Sequence, residues 1–183
     1  MGARAIALFP LLLAAFSCQA SRPASAPATA SSMVDMLFWE KQDWEPGGGA
    51  ERLTLWADGR SEITVKRLGE PRKPKAGWTV TKKDQWCYYR KANALPPDEA
   101  RRKFAAAVAA GIRELKTFPP GYADGSGTLV GVEVGGKLTE TVVPMFLHPG
   151  EKDNKGSENH KRYLAVEKIL GGFDTDAIEE SPG

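Results

Sequence analysis

Two segments of alternating polar and apolar residues, joined by Asp58-Gly59, constrain the fold most, because such a dipeptide between alternating segments signals a β-hairpin. A two-residue loop would put the apolar residues of 51–57 and 60–66 on opposite faces. A three-residue loop with Gly59 in the left-handed conformation puts them on one face. We favour the second register, which also sends Trp56 to the other face. It predicts a shared buried face for Leu53, Leu55, Ile63 and Val65.

The rest of the chain alternates strand pairs with single helices. A helix is expected from about Leu95, where prolines and acids suit the first turn, and another over 157–170. Further strands are expected at 34–40, 76–81, 85–91, 128–134 and 137–143. This order predicts an α+β fold, an antiparallel sheet built from hairpins with two helices packed on one face.

Composition limits the folded part to one domain. A chain of 183 residues, of which 42 % are apolar and 26 % charged, suffices for one ordinary core but not comfortably for two. No internal repeat or second linker divides residues 33–173, which we predict to be the domain. The formal net charge of +2 argues against nucleic acid as a partner.

The first residues have the composition of an export signal. Arg4 supplies a positive charge, and the apolar run 5–16 would form a helix of about 18 Å, too short for a hydrocarbon core of about 30 Å. We therefore predict a signal peptide over residues 1–17 and an exported protein.

The segment Ala15-Phe16-Ser17-Cys18 resembles the lipobox of bacterial lipoproteins. The resemblance implies that Cys18 becomes the lipidated first residue, so that a membrane is a partner through the anchor. Gln19 resembles the outer-membrane sorting pattern of Gram-negative cells. The sequence departs from the pattern in Ala15, where Leu is usual, and in Phe16, where a small residue is usual. The alternative is an ordinary cut after Ala20 or Ala26, which would release a periplasmic or secreted protein.

Two terminal segments contain too few apolar residues to form a core. Residues 18–32 comprise the lipidated Cys, Gln19 and a stretch of Ser, Ala, Pro and Thr with one arginine, which predicts a disordered tether. Residues 174–183 predict an acidic disordered tail.

A cluster of cations suggests a binding surface. Trp56 is expected to be partly exposed beside the basic connection between the third and fourth strands. That connection contains Lys66, Arg67, Arg72, Lys73 and Lys75. Clustered cations bind phosphates and carboxylates, and indole rings stack on sugars, which suggests an anionic envelope polymer or a protein partner. The alternative is that the tryptophans are core residues and the lysines solvate a loop.

No pattern in the sequence indicates catalysis, a metal or a cofactor. Cys87 lies between aromatic residues in an expected strand, where a packed thiol is the simpler interpretation. His148 and His160, with the acids between them, lack the spacing of a zinc or calcium site and are expected to form a solvated loop.

The expected function is therefore a non-enzymatic binding or structural role in the cell envelope. A secreted hydrolase whose site is assembled from distant residues is one alternative. A protease inhibitor is the other, because the order of strands and helices is similar to that of small bacterial inhibitors of the emfourin type, although no motif is shared.

Replacing Cys18 tests the anchor. Wild-type protein should partition with membranes and carry acyl mass on Cys18, because two or more chains, each contributing about 0.8 kcal/mol per buried CH₂, give stable anchoring. Cys18→Ala should move the protein to the soluble fraction or leave the precursor uncut. Mass spectrometry that finds an unmodified N-terminus at Ser21 or Pro27 would contradict lipidation.

Overall fold

The computed structural model describes residues 34–43, 47–118, 126–144 and 157–179. The predicted signal peptide, Cys18 and the tether lie outside these residues. The described residues belong to one compact unit. Among the described residues, no helix has the length and apolar content needed to cross a membrane.

The described part of the chain forms a seven-stranded antiparallel sheet with two α-helices, which confirms the predicted α+β class. The helices are α1 (Pro97–Ala109) and α2 (Glu158–Leu170), and a 3-10 turn (Ile112–Glu114) follows α1. The strands are β1 (Met36–Asp43), β2 (Ala50–Trp56), β3 (Ser61–Leu68), β4 (Thr79–Lys83), β5 (Trp86–Ala92), β6 (Ser126–Val134) and β7 (Lys137–Pro144). Their order in the sheet is β4-β5-β3-β2-β1-β6-β7.

The hairpin of β2 and β3 has the predicted register. Leu53 pairs with Ile63, and the N–H of Trp56 donates to the carbonyl of Arg60 at 3.0 Å, which closes a three-residue loop. Gly59 has a φ of +97°, a conformation that glycine adopts without steric cost. The four apolar residues predicted to share a face are 0–3 % exposed.

Both helices supply residues to the core on this face. Phe104 and Ala107 of α1 and Val166 and Leu170 of α2 belong to the same buried cluster as the sheet residues. Ser157 caps the N-terminus of α2, and its hydroxyl accepts a hydrogen bond from the backbone N–H of His160 at 3.2 Å.

Tyr163 links α2 to the sheet. Its hydroxyl lies 3.1 Å from the Thr128 hydroxyl and donates to the Glu167 carboxylate at 3.1 Å. Burial raises the pKa of Tyr163 from 10.0 to about 12. Because folding raises this pKa, the contribution of the neutral phenol is fully present below pH 10 and is lost as the pH rises through about 12.

The predicted disorder of the tail is wrong for residues 174–179, which pack against the connection between β3 and β4. Pro74 and Ile178 form an isolated β-bridge, and the N–H of Lys75 donates to the carbonyl of Ala177 at 3.0 Å. Ala177 is 2 % exposed. Asp176 and Glu179 of this segment form ion pairs with Lys75 and Lys73 of the connection, so the domain extends to Glu179. Residues 180–183 lie outside the described part.

Removing residues 174–183 should lower the free energy of unfolding by about 1–3 kcal/mol, because backbone hydrogen bonds worth about 1 kcal/mol each and a buried alanine are lost. Urea denaturation measures the change. The control is a truncation after Glu179, which leaves every described contact in place. Equal stabilities of the two truncations would show that residues 174–179 do not stabilise the domain.

Candidate functional site

The second face of the sheet lies opposite the helices, and we call this face the open face. It contains a groove and carries Glu40 of β1, Arg52 of β2, Thr64 of β3 and Arg90 of β5. The groove holds about 560 Å³ and is lined by strand residues and by the segment 47–50. Sites for small ligands enclose roughly 300–1,000 Å³, so the groove is large enough for a ligand of a few rings.

Strand register brings three cations of the open face together. Thr64 pairs with Arg52 on one side and with Arg90 on the other. Lys66 follows Thr64 by two residues on β3, so its side chain lies on the same face. Paired Cα atoms lie about 5 Å apart and residues i and i+2 about 7 Å apart, which places the Cα atoms of all three residues around Thr64.

Arg52 is held in place by an acid and an aromatic ring. Its Nε forms an ion pair with the Glu40 carboxylate, which is 7 % exposed and also accepts from the Gln42 amide. The guanidinium lies 4.1 Å from the centroid of the Phe38 ring. Gly131 allows this ring to lie close to β6, since a Cβ on Gly131 would stand 2.1 Å from Phe38 Cε1.

Lys66 is held without being neutralised. Its Nζ lies 4.0 Å from the centroid of the Trp86 ring, an arrangement that attracts the cation and leaves its charge in place. No carboxylate in the described segments forms an ion pair with Lys66 or Arg90. Lys66 and Arg90 therefore line the groove without a direct ion pair, and the carboxylates of Asp43 and Glu62 line it as well.

The sequence predicts that Trp56 lies beside the basic connection, but the structure does not place it there. It pairs with Met36, whereas Lys66 pairs with Ala50 at the opposite end of β2, six residues away or about 20 Å. Trp56 is half-buried, with the guanidinium of Arg60 5.0 Å from its ring centroid. The two parts of the predicted surface are thus separated by the length of the hairpin.

A turn aspartate neutralises the cation at Trp56. The Asp58 carboxylate lies 2.7 Å from Arg60 Nε and accepts from the backbone N–H of Arg60 at 3.0 Å. That backbone hydrogen bond is the main cause that holds the pKa of Asp58 below its ordinary value.

The predicted basic cluster is divided, and only Lys66 lines the groove. Arg67 pairs with Glu51 at 2.6 Å and borders the C-terminal segment instead. Lys73 pairs with Glu179 at 2.7 Å, and Lys75 pairs with Asp176. Arg72 is exposed, and its backbone N–H donates to the hydroxyl of Tyr89 at 2.8 Å.

Trp86, Tyr88 and Arg90 line the groove but were not among the predicted site residues. Their spacing of two residues places them on one face of β5, and this alternation was the available signal. Cys87 and Tyr89, which alternate with them, are 1 % exposed. The interpretation of Cys87 as a packed thiol is confirmed, since its Sγ also donates to the carbonyl of Gly69.

The tryptophans divide between core and surface. Trp39 and Trp78 are buried, as the core interpretation expects, and Trp86 is half-buried like Trp56. Trp44 lies outside the described residues.

The described residues contain no group of three or more His, Cys, Asp or Glu side chains placed to hold a metal ion. His148 and the acids that follow it in the connection to α2 lie outside the described part. His160 is in the first turn of α2 and is half-buried.

Comparison with protein-family models finds no match to this chain, and comparison with curated protein sequences finds none either.

Gly131→Ala should destabilise the domain by about 1–3 kcal/mol, because the new Cβ displaces the Phe38 ring. Combining it with Phe38→Leu should restore at least about 1 kcal/mol relative to the sum of the single changes, because a leucine side chain can rotate away from the methyl group. Urea denaturation of all four proteins gives the coupling. Effects that add to within about 0.5 kcal/mol would contradict the close packing of Phe38 on Gly131.

Proposed function

We propose that this chain is an exported lipoprotein, anchored to the outer membrane through Cys18, whose domain binds an anionic ligand of the cell envelope on its open face without catalysing a reaction. The observation that carries the proposal is the pair Lys66 and Arg90. Both line the groove, and no described carboxylate pairs with either.

The pairing of the other cations supports this choice of surface. Several described lysines and arginines have a carboxylate within reach inside the domain, including Arg67, Lys73 and Lys75 of the basic connection. An ion pair already satisfied within the chain offers little to an external anion. The unpaired cations of the groove can gain charge-assisted hydrogen bonds, which are worth about 1.5–3 kcal/mol each.

The shape of the face also favours binding over a purely structural role. A flat polar sheet face would be fully solvated, but here Glu40 and Thr54 are each 7 % exposed at the base of the groove. Ligand atoms in such a concave site contact fewer water molecules, so the attraction between an anionic ligand and the cations of the groove is less screened.

Charge reversal tests the proposal in a protein that begins at Gln19 and therefore lacks the lipid. Lys66→Glu with Arg90→Glu should weaken binding to cell-envelope fractions by at least about tenfold, equivalent to about 1.4 kcal/mol. The wild-type binding should fall as salt rises. Co-sedimentation at two salt concentrations measures both effects.

The matched control is Arg102→Glu with Lys161→Glu, which changes the net charge equally at exposed positions of α1 and α2. This control should bind like the wild type. Equal losses in both double variants would indicate attraction by net charge alone, and no loss in the groove variant would refute the proposed site.

A further inference from the structure

The two edge strands of the sheet differ in how they are protected from further pairing. In the described part of the chain, β4 and β7 are the end strands, and each pairs with a single neighbour. Strand β4 is five residues long and ends in Lys82 and Lys83. Strand β7 is eight residues long, and after its first residue, Lys137, it carries one charge, Glu140. Because short strands and lysines prevent unwanted pairing at a sheet edge, β4 is protected and β7 is not.

Apolar side chains are exposed along β7. Leu138 is 46 % exposed and Val142 is 41 % exposed. Val142 pairs with Leu129, and Leu129 pairs with Glu40 of the open face. Leu138 precedes Val142 by four residues, so both lie on this face. On the other face of β7, Thr141 is buried, and its hydroxyl donates to a backbone carbonyl just after the 3-10 turn. The strand is therefore fixed on the core and presents apolar groups on its open face.

Glu140 lies between these two apolar residues on the same face. Its strand partner is Gly131, which has no side chain, and the partner of Leu138 is another acid, Glu133. Neither acid forms an ion pair with a lysine or arginine of the described segments. The open face of β7 thus presents an apolar, an acidic and an apolar side chain in sequence, and the carboxylate is available to a cation.

A second copy of this chain fits the pattern poorly. In an antiparallel pair of two β7 strands, the register that matches Leu138 of one copy with Val142 of the other also matches Glu140 with Glu140. Like charges directly opposite each other destabilise a strand pair. A shift of two residues places Glu140 opposite an apolar side chain instead. The occupant that satisfies all three positions has a cation opposite Glu140.

We propose that the outer edge of β7 binds an extended segment of a partner protein as an additional strand, with a lysine or arginine opposite Glu140 and apolar side chains opposite Leu138 and Val142. Hydrogen bonds between the two backbones supply affinity, and the three side-chain positions supply specificity. The surface is separate from the groove, which no described residue of β6 or β7 lines. The inference therefore goes beyond the proposed function.

Two synthetic peptides test the inference on the protein that begins at Gln19. In each seven-residue peptide, with both ends capped, threonine alternates with valine, a variable residue and leucine. The variable residue is lysine in one peptide and glutamate in the other. The lysine peptide should bind at least about fivefold more tightly, because it places a cation rather than a like charge opposite Glu140. NMR titration of the β7 backbone amides measures both affinities, and the bound lysine peptide should slow hydrogen exchange at these amides.

Variants of the protein identify the residue responsible. Glu140→Lys should reverse the preference, so that the glutamate peptide binds more tightly. The matched control is Glu70→Lys, which changes the net charge equally at an exposed position in the connection between β3 and β4 and should keep the wild-type preference. Lys66→Glu with Arg90→Glu should also keep it, since the groove does not take part.

Equal affinities for the two peptides would overturn the inference, as would the absence of binding by either. If sedimentation velocity shows that the wild-type protein dimerises, and hydrogen exchange shows that β7 is protected in the dimer, the occupant is a second copy and the inference is wrong. The groove and the edge fail separately. Peptide binding that persists in the groove variant supports the edge whatever the envelope fractions do, and envelope binding lost only in that variant supports the groove whatever the peptides do.

Discussion

Leu53, Leu55, Ile63 and Val65 can share one face of the sheet because Gly59 permits a three-residue loop between β2 and β3. A slip of one residue would turn the side chains of one strand to the opposite face and expose half of this cluster to water. The same register decides the polar face. It sets the side chains of Arg52 and Thr64 next to each other and, through the pairing of β3 with β5, adds those of Lys66 and Arg90. Burial on one side of the hairpin thus assembles the groove on the other.

The cationic side chains of the open face must be held in place without neutralising all of their charge. Aromatic rings hold them in two places: Phe38 lies against Arg52, and Trp86 against Lys66. Each such contact is worth about 0.5–1 kcal/mol at an exposed site, enough to restrict a long side chain without neutralising it. Glu40 adds an ion pair only at Arg52. The groove therefore combines fixed side chains with charge that remains available to a ligand.

Local patterns predicted the fold class, the hairpin register and both helices well, since alternation, turn glycines and helix-start residues act within a few positions of one another. They predicted the site poorly. Of the expected basic cluster only Lys66 lines the groove, because Asp176 and Glu179 pair with Lys75 and Lys73, Glu51 pairs with Arg67, and Arg72 is exposed. The tail appeared too polar to fold, yet Ala177 is buried and Ile178 pairs with Pro74, a partner that is distant in sequence.

The amino-acid sequence by itself determined which residues face the core along each strand, because side chains alternate with a period of two and apolar groups must leave water. It also contains the expectation of export and lipidation at Cys18, which depends on an N-terminal pattern and not on the fold. Tertiary structure alone decided which charges remain unpaired. Lys66 and Lys73 look alike in a basic connection, but strand pairing places one on the open face and the C-terminal segment places Glu179 beside the other. Electrostatic attraction falls with distance in space, and sequence separation does not reveal that distance.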